Sequence, residues 1–171
     1  MAYDELANLL RRLPVFSSLG RDEAVGLASR CTGLRYQPGM RIFNEGEFAD
    51  NVTIVVSGLV QISLSVPDGP DLVVATVEAG ALIGEMALID PAPRAATATA
   101  IEESVVLNID AHAFGDLLAA GHPAASGILR TVSLQVCARL RALESKLDQL
   151  LTGEGVALRR ELADTRERIT R

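Results

Sequence analysis

The chain has 171 residues, 49% of them hydrophobic, which is enough to bury the core of one domain and leave a helical appendage. Its 22 acidic against 16 basic side chains give a net charge of −6, which removes the attraction on which binding to phosphate backbones depends, so nucleic acid is not an expected partner. Cys31 and Cys137 stand far apart with no Cys or His at metal spacing, and no run reaches the ~18 apolar residues of a membrane span. A soluble, cytoplasmic chain with reduced thiols, no metal and no membrane partner is expected.

From Tyr3 to Leu13 the apolar positions Leu6, Leu9, Leu10 and Leu13 recur at helical spacing until Pro14 stops them, and a second helix is expected from Arg21 to Arg30 with Ala24, Leu27 and Ala28 inward. These make an N-terminal cap over residues 1–32. The period then shortens. Leu34–Tyr36, Arg41–Phe43, Val52–Val56, Leu59–Val66, Leu72–Val77 and Val105–Ile109 are short segments rich in β-branched residues, separated by turn signals such as Pro38-Gly39, Glu45-Gly46 and Ser57-Gly58. With aromatics at only 4% and no Trp, the core must be built from Val, Leu, Ile and Ala. The expected fold is mainly β with flanking helices: an antiparallel jelly-roll barrel over residues 33–109.

Beyond the barrel, Asp110 is a good N-cap for a helix to Ala120, and Gly121-His122-Pro123 opens another running to Leu151, giving C-terminal helices over residues 110–151. In the last helix Val136, Leu140, Leu143, Leu147 and Leu150 alternate spacings of four and three, with Arg139 and Glu144 flanking. Two arrangements satisfy that stripe: a parallel homodimer through residues 129–151, which is preferred, or packing on the chain's own barrel. Residues 152–171 form a charge-laced tail. His112 and His122 fall on or beside these helices as surface or capping residues, and Asp68 and Asp71 sit at a hairpin tip where acids are usually solvated.

The segment Gly84 to Thr97 breaks the strand rhythm. Gly84 lets the backbone approach a ligand, Glu85–Leu88 can form one helical turn whose amides face an anion, and Arg94, stiffened by Pro93, can offer a planar fork to two phosphate oxygens. Glu85 would repel a bare phosphate. It fits if it accepts a hydrogen bond from a sugar hydroxyl while orienting Arg94, and a phosphate with a sugar hydroxyl on one compact ligand describes a cyclic nucleotide. An acid and an arginine at this spacing are otherwise commonly a surface ion pair.

Gly-Glu-Met-Ala-Leu from Gly84, Ile-Asp-Pro-Ala from Ile89 and Pro-Arg-Ala-Ala-Thr from Pro93 resemble the phosphate-binding cassette of the cyclic nucleotide-binding domain superfamily, which includes catabolite activators and the regulatory subunits of cyclic-AMP-dependent kinases. Leu13-Pro14-Val15-Phe16, Tyr36-Gln37-Pro38-Gly39, Ile42-Phe43 with Glu45-Gly46-Glu47, and Val55-Val56-Ser57-Gly58 resemble that family's framework in the same order. The resemblance implies that Glu85 meets the ribose 2′-hydroxyl and Arg94 the cyclic phosphate, with Gly84, Met86, Ala87, Ala95 and Ala96 contributing backbone or close packing. It makes Val74 and Ala75 the base and sugar wall. Ala95, where a hydroxyl would favour cyclic GMP, implies cyclic AMP; cyclic di-GMP would want more basic residues than lie here. The chain departs from the transcription factors of the family where their dimer helix offers hydroxyls to adenine: the matching positions are Leu143 and Glu144, and the base is met by Leu143 or by Arg139. No helix-turn-helix follows within these residues, so DNA binding is not inherited.

The expected function is a non-enzymatic sensor without a cofactor that passes ligand occupancy through its C-terminal helix to an unidentified protein effector. A ligand-free docking or dimerisation module of the same fold, and the regulatory fragment of a larger transcription factor or enzyme, are the alternatives.

Overall fold

The computed structural model describes residues 3–89 and 92–151. The expected tail at 152–171, the Asp90-Pro91 step and the side chain of Leu150 lie outside them. The chain divides into two compact units, Met1–Val132 and Ser133–Arg171.

Helix α1 (Tyr3–Arg12) carries Asp4 and Glu5 in its first turn and Arg11 and Arg12 in its last, charges placed to suit the helix dipole, and it buries Leu6, Ala7 and Leu10. Pro14 cannot continue it, and the Pro14–Phe16 3-10 turn that follows drives Phe16 to full burial. Helix α2 (Arg21–Ala28) starts where the Glu23 carboxylate accepts the Gly20 amide at 2.7 Å. It stops two residues short of the sequence expectation, but Ala24, Leu27 and Ala28 are buried as expected.

Eight strands follow: β1 (Thr32–Tyr36), β2 (Arg41–Phe43), β3 (Asn51–Ser57), β4 (Val60–Leu64), β5 (Leu72–Val77), β6 (Leu82–Ile83), β7 (Thr97–Ala100) and β8 (Ser104–Asp110). They make two antiparallel four-stranded sheets, in the orders β1-β8-β3-β6 and β2-β7-β4-β5. This is the expected jelly roll, with two strands that the sequence pattern does not signal. The β6 strand is two residues long, and β7 reads Thr-Ala-Thr-Ala, half of it a residue depleted in strands.

In the first sheet β3 is buried on both faces because it alternates between two cores, while β1 at the edge is exposed. Val52, Ile54 and Val56 face the helices and join Leu10, Phe16, Leu27, Leu107, Ile109, Phe114, Leu117 and Ile128 in one large cluster. Val55 points the other way into a smaller cluster between the sheets, with Val60, Ile83 and Ala98 buried and Ile42, Phe43, Ile62 and Val77 only partly covered. The space between the sheets is thus lined by side chains it does not fully enclose.

Helix α3 (Ala111–Ala119) is capped by Asp110, whose carboxylate accepts the Ala113 amide at 2.7 Å. Helix α4 (Pro123–Leu151) begins with Pro at its first position, and the His122 Nδ1 accepts the Ala124 amide at 3.2 Å, which gives that histidine a capping role. Gly127 lies where a Cβ would come within 3.1 Å of the Val15 carbonyl, so its missing side chain is what lets α4 approach the Pro14–Phe16 turn. In the second unit Val136, Leu140, Leu143 and Leu147 of the expected seam are exposed. Among the described residues no helix is long and apolar enough to cross a membrane.

The two thiols differ. Cys31 donates to the Leu27 carbonyl at 3.2 Å and packs against the main cluster, and burial pushes its pKa up to about 12, whereas Cys137 is exposed. Since the thiolate is the nucleophile, iodoacetamide at pH 8 should add once to the native protein, at Cys137, and twice after denaturation. Peptide mass mapping checks this; native labelling of Cys31 would contradict the packing described.

Candidate functional site

The β2 strand ends at Phe43 and runs into a tight turn. Glu47 locks it by accepting the Asn44 amide at 2.9 Å, and Arg41 donates from Nη1 to the Asn44 Oδ1 at 2.8 Å. These Asn44 bonds hold the Glu47 carboxyl below its ordinary range against the opposing effect of desolvation, with lesser help from Arg94 and Arg41. Gly46 supplies the positive φ of 79° that the turn requires. The Glu45 amide donates to the Thr97 Oγ1 at 3.0 Å, and this fixes the turn to the start of β7.

Arg94 is fastened to this turn by its own backbone. Its amide donates to the Glu47 carbonyl at 2.8 Å, and its carbonyl accepts the Gly46 amide at 2.8 Å. The side chain then crosses to the other sheet. Nη1 donates to the Asn51 and Gly84 carbonyls, each at 3.0 Å, Nη2 donates to the Asn51 Oδ1 at 2.9 Å, and the guanidinium lies 4.3 Å from the centroid of the Phe43 ring. With 6% exposure the group is buried. Burial pulls its pKa below the ordinary value, opposed by Asp50, Glu47 and Glu85 in that order, and a guanidinium remains charged through such a shift.

The donors can be counted. A guanidinium has five N–H groups, and three are spent on Asn51 and Gly84. The remainder are Nε–H, which is buried without a hydrogen-bond partner, and one N–H of Nη2. A buried donor left without an acceptor costs about 1–3 kcal/mol. What this edge lacks is a hydrogen-bond acceptor.

Asn51 is itself aimed by a neighbour, because its Nδ2 donates to the Asp50 carboxylate at 3.0 Å and leaves Oδ1 for Arg94. The Asp50 carbonyl accepts the Ala111 amide at 2.7 Å, the first amide of α3. One dipeptide therefore joins the buried arginine to the helix that follows the barrel.

Gly84 ends β6 with φ 66°, and a Cβ there would stand 2.1 Å from the Arg94 Nη1. The residues Glu85–Leu88 form a 3-10 turn in which Glu85 and Ala87 are buried and Met86 is exposed. Of the row of free amides expected there, that of Ala87 turns back on the Gly84 carbonyl at 3.4 Å and that of Ile89 on the Met86 carbonyl at 2.9 Å. From the sequence, Glu85 is also expected to orient Arg94. The arginine's hydrogen bonds go to Asn51 and Gly84 instead, and Glu85 acts on it through charge as the third of three carboxylates.

Of the residues singled out in the sequence, Gly84, Glu85 and Arg94 come together. Ala95 is exposed and Ala96 half-buried where the chain bends into β7. Val74 and Ala75 lie on β5, where Val74 is the extra residue of a β-bulge and Ala75 pairs with Ile62, a side chain of the cluster between the sheets. Arg139 and Leu143 belong to the second unit, both exposed. Sequence reasoning missed Asn51, and gave Phe43 a place in the framework without its contact to Arg94. The polar pair Asp50-Asn51 ahead of an apolar strand is the one signal that could have found the first.

A profile described as the cyclic nucleotide-binding domain matches residues 34–120. The CRP-like cAMP-activated global transcriptional regulator of Mycobacterium tuberculosis is 27% identical over 143 residues, 84% of this chain and 62% of that protein. The cAMP-dependent protein kinase regulatory subunit of Yarrowia lipolytica is 35% identical over 109 residues, 64% of this chain and 28% of that protein. Among solved structures, the N-terminal domain of a transcriptional regulator from Streptomyces coelicolor A3(2) superposes with a TM-score of 0.62 at 30% identity, covering 87% of this chain and 99% of that one. The chain thus spans less than two thirds of the length of these curated relatives.

Two substitutions test the geometry. Gly84→Ala should destabilise the fold by roughly 1–3 kcal/mol in urea unfolding, because its Cβ meets the guanidinium. Asn51→Ala, which removes one acceptor from a buried charge, should cost about 1.5–3 kcal/mol. Wild-type stability in both variants would mean that Arg94 is not held as described.

Proposed function

The chain belongs to the cyclic nucleotide-binding domain family, and we propose that it is a non-enzymatic cyclic AMP sensor that signals occupancy through its C-terminal helices to a protein partner. The observation that carries this reading is the unspent edge of Arg94, two donors of a buried guanidinium beside the Glu85 turn. A cyclic phosphate supplies the missing acceptors. Glu85, buried on the same turn, accepts the ribose 2′-hydroxyl, and Gly84, Met86, Ala87, Ala95 and Ala96 pack around the sugar and phosphate. On this reading Val74 and Ala75 wall the base.

Cyclic AMP is preferred to cyclic GMP because Ala95 brings no hydroxyl to a guanine amino group, and a buried polar group without a partner costs about 1–3 kcal/mol. The mycobacterial regulator is cAMP-activated and the Yarrowia kinase subunit cAMP-dependent, which supports the same choice. A ligand of about 22 heavy atoms at ~0.3 kcal/mol each gives roughly −7 kcal/mol, an affinity on the order of micromolar.

The route outward is proposed to start at Asn51. An anion on the free edge of Arg94 changes the load on its bonds to Asn51, and Asp50 passes that change to the first amide of α3. Ligand energy then shifts the population of helix positions. The exposed seam of α4 suits pairing with a second copy, so the output is read by a dimer.

Isothermal titration with cyclic AMP and then cyclic GMP tests the reading. Micromolar binding of the first and weaker binding of the second are expected. In a fold whose thermal transition stays cooperative, Arg94→Ala should weaken cyclic AMP by at least ~2 kcal/mol, about thirtyfold. No heat from either nucleotide, with protein free of carried-over ligand, would favour the docking module. Leu143→Asp should convert dimer to monomer in sedimentation; an unchanged mass would remove the seam.

A further inference from the structure

The four sheet edges of the described barrel are not alike. The β6 edge is two residues long, the β2 edge three and headed by Arg41, and β1 carries Arg35, which donates to Glu103 at 2.5 Å. Such short or charged edges resist pairing with another chain. The β5 strand is different. Its six residues, Leu72-Val73-Val74-Ala75-Thr76-Val77, hold no charge and no proline, it is the last strand of its sheet, and Leu72, Val73 and Val74 are 56%, 51% and 49% exposed.

An unpaired strand edge offers a row of backbone donors and acceptors, and an extended peptide can add to it, with affinity from main-chain bonds and selectivity from the side chains at its ends. The flanking charges decide which peptide. Asp68 and Asp71 stand at one end of β5 and Glu78 at the other. If a second copy paired here antiparallel, full overlap of the two strands would put Asp71 opposite Glu78 at both ends. Parallel pairing would set each acid beside itself. Like charges directly opposite are destabilising, and the whole chain already carries a net charge of −6. The edge is thus open to a strand but set against its own kind.

The geometry points to the free edge of β5 as the docking site for an extended segment of a partner protein, alternating apolar and small polar residues and carrying Lys or Arg at both ends. The segment joins as a fifth strand of the β2-β7-β4-β5 sheet. The bulge at Val74 lies in the pairing with β4 and disturbs the free edge as well, so regular pairing of the added segment is confined to Leu72-Val73 on one side and Ala75–Val77 on the other. This inference does not depend on the nucleotide reading.

The test uses the full chain, labelled with nitrogen-15, and two blocked peptides: Lys-Val-Thr-Val-Thr-Val-Lys and the same sequence with Glu at both ends. The lysine peptide should shift the amides of Leu72–Val77 saturably, and the glutamate peptide should bind at least tenfold more weakly. Val73→Lys, which gives the edge a charge of the kind native edges use, should weaken the lysine peptide at least tenfold. Should that variant fold poorly, Asp71→Lys with Glu78→Lys should reverse the preference between the two peptides. Equal binding of both peptides, no binding, or shifts centred away from β5 would overturn the proposal. So would self-association of the unmodified chain that Val73→Lys abolishes, which would assign the edge to a second copy. Because Val74 and Ala75 of the same strand are assigned to the nucleotide wall, cyclic AMP is titrated into the unmodified chain without peptide, and the peptides into the unmodified chain without nucleotide, so failure of either reading is seen by itself.

Discussion

A charged guanidinium buried between two β-sheets is the constraint around which the barrel is arranged. Arg94 is tied by its backbone to the turn after β2, lies over Phe43, and reaches across to Asn51 at the start of β3 and Gly84 at the end of β6. Desolvating such a group without acceptors would be prohibitive, and a hydrogen bond to a charged group is typically worth ~1.5–3 kcal/mol. The neighbouring sequence can be understood as the answer to that cost. Gly84 has no Cβ because the guanidinium occupies its place, and Asn51 presents two oxygens because one carbonyl would not suffice.

The same arrangement explains why the two faces of the first sheet are packed so differently. Toward the helices, β3 and β8 bury Val52, Ile54, Val56, Leu107 and Ile109 against a continuous apolar layer that includes Phe16 and Ile128. Between the sheets only a small cluster closes, and Ile42, Phe43, Ile62 and Val77 remain partly open. Stability therefore resides on the helical side. The proposed site lies at the thinly filled side, where a ligand could be admitted without dismantling the main core.

Most of the scaffold was legible in the sequence because it rests on local signals. Pro14, Asp110 and Pro123 mark helix boundaries by backbone chemistry that needs no tertiary context, and the β-branched runs of β3, β5 and β8 announce themselves. The strand β7 was hidden because alanines satisfy a buried pleat only once Ile62 and Phe43 pack against them. Glu85 and Arg94 could be chosen from their spacing and family resemblance. What held Arg94 could not be, since Asn51 lies 43 residues away in sequence and its role exists only after β3 and β6 have paired.

The acids around Arg94 bear on how strongly any anion can be held. Asp50, Glu47 and Glu85 all act on the guanidinium, so before a ligand arrives the local charge is on balance negative. A single phosphate charge therefore gains little from the long-range field and must be held by the short-range geometry of the two unspent donors. Glu47 and Asp50 are exposed, so added salt screens their repulsion at the same time as it weakens the attraction of Arg94, and the two effects oppose each other. A site of this kind selects by hydrogen-bond geometry more than by charge, which favours a compact ligand that pairs one phosphate with one hydroxyl over more highly charged anions that Arg94 alone cannot neutralise.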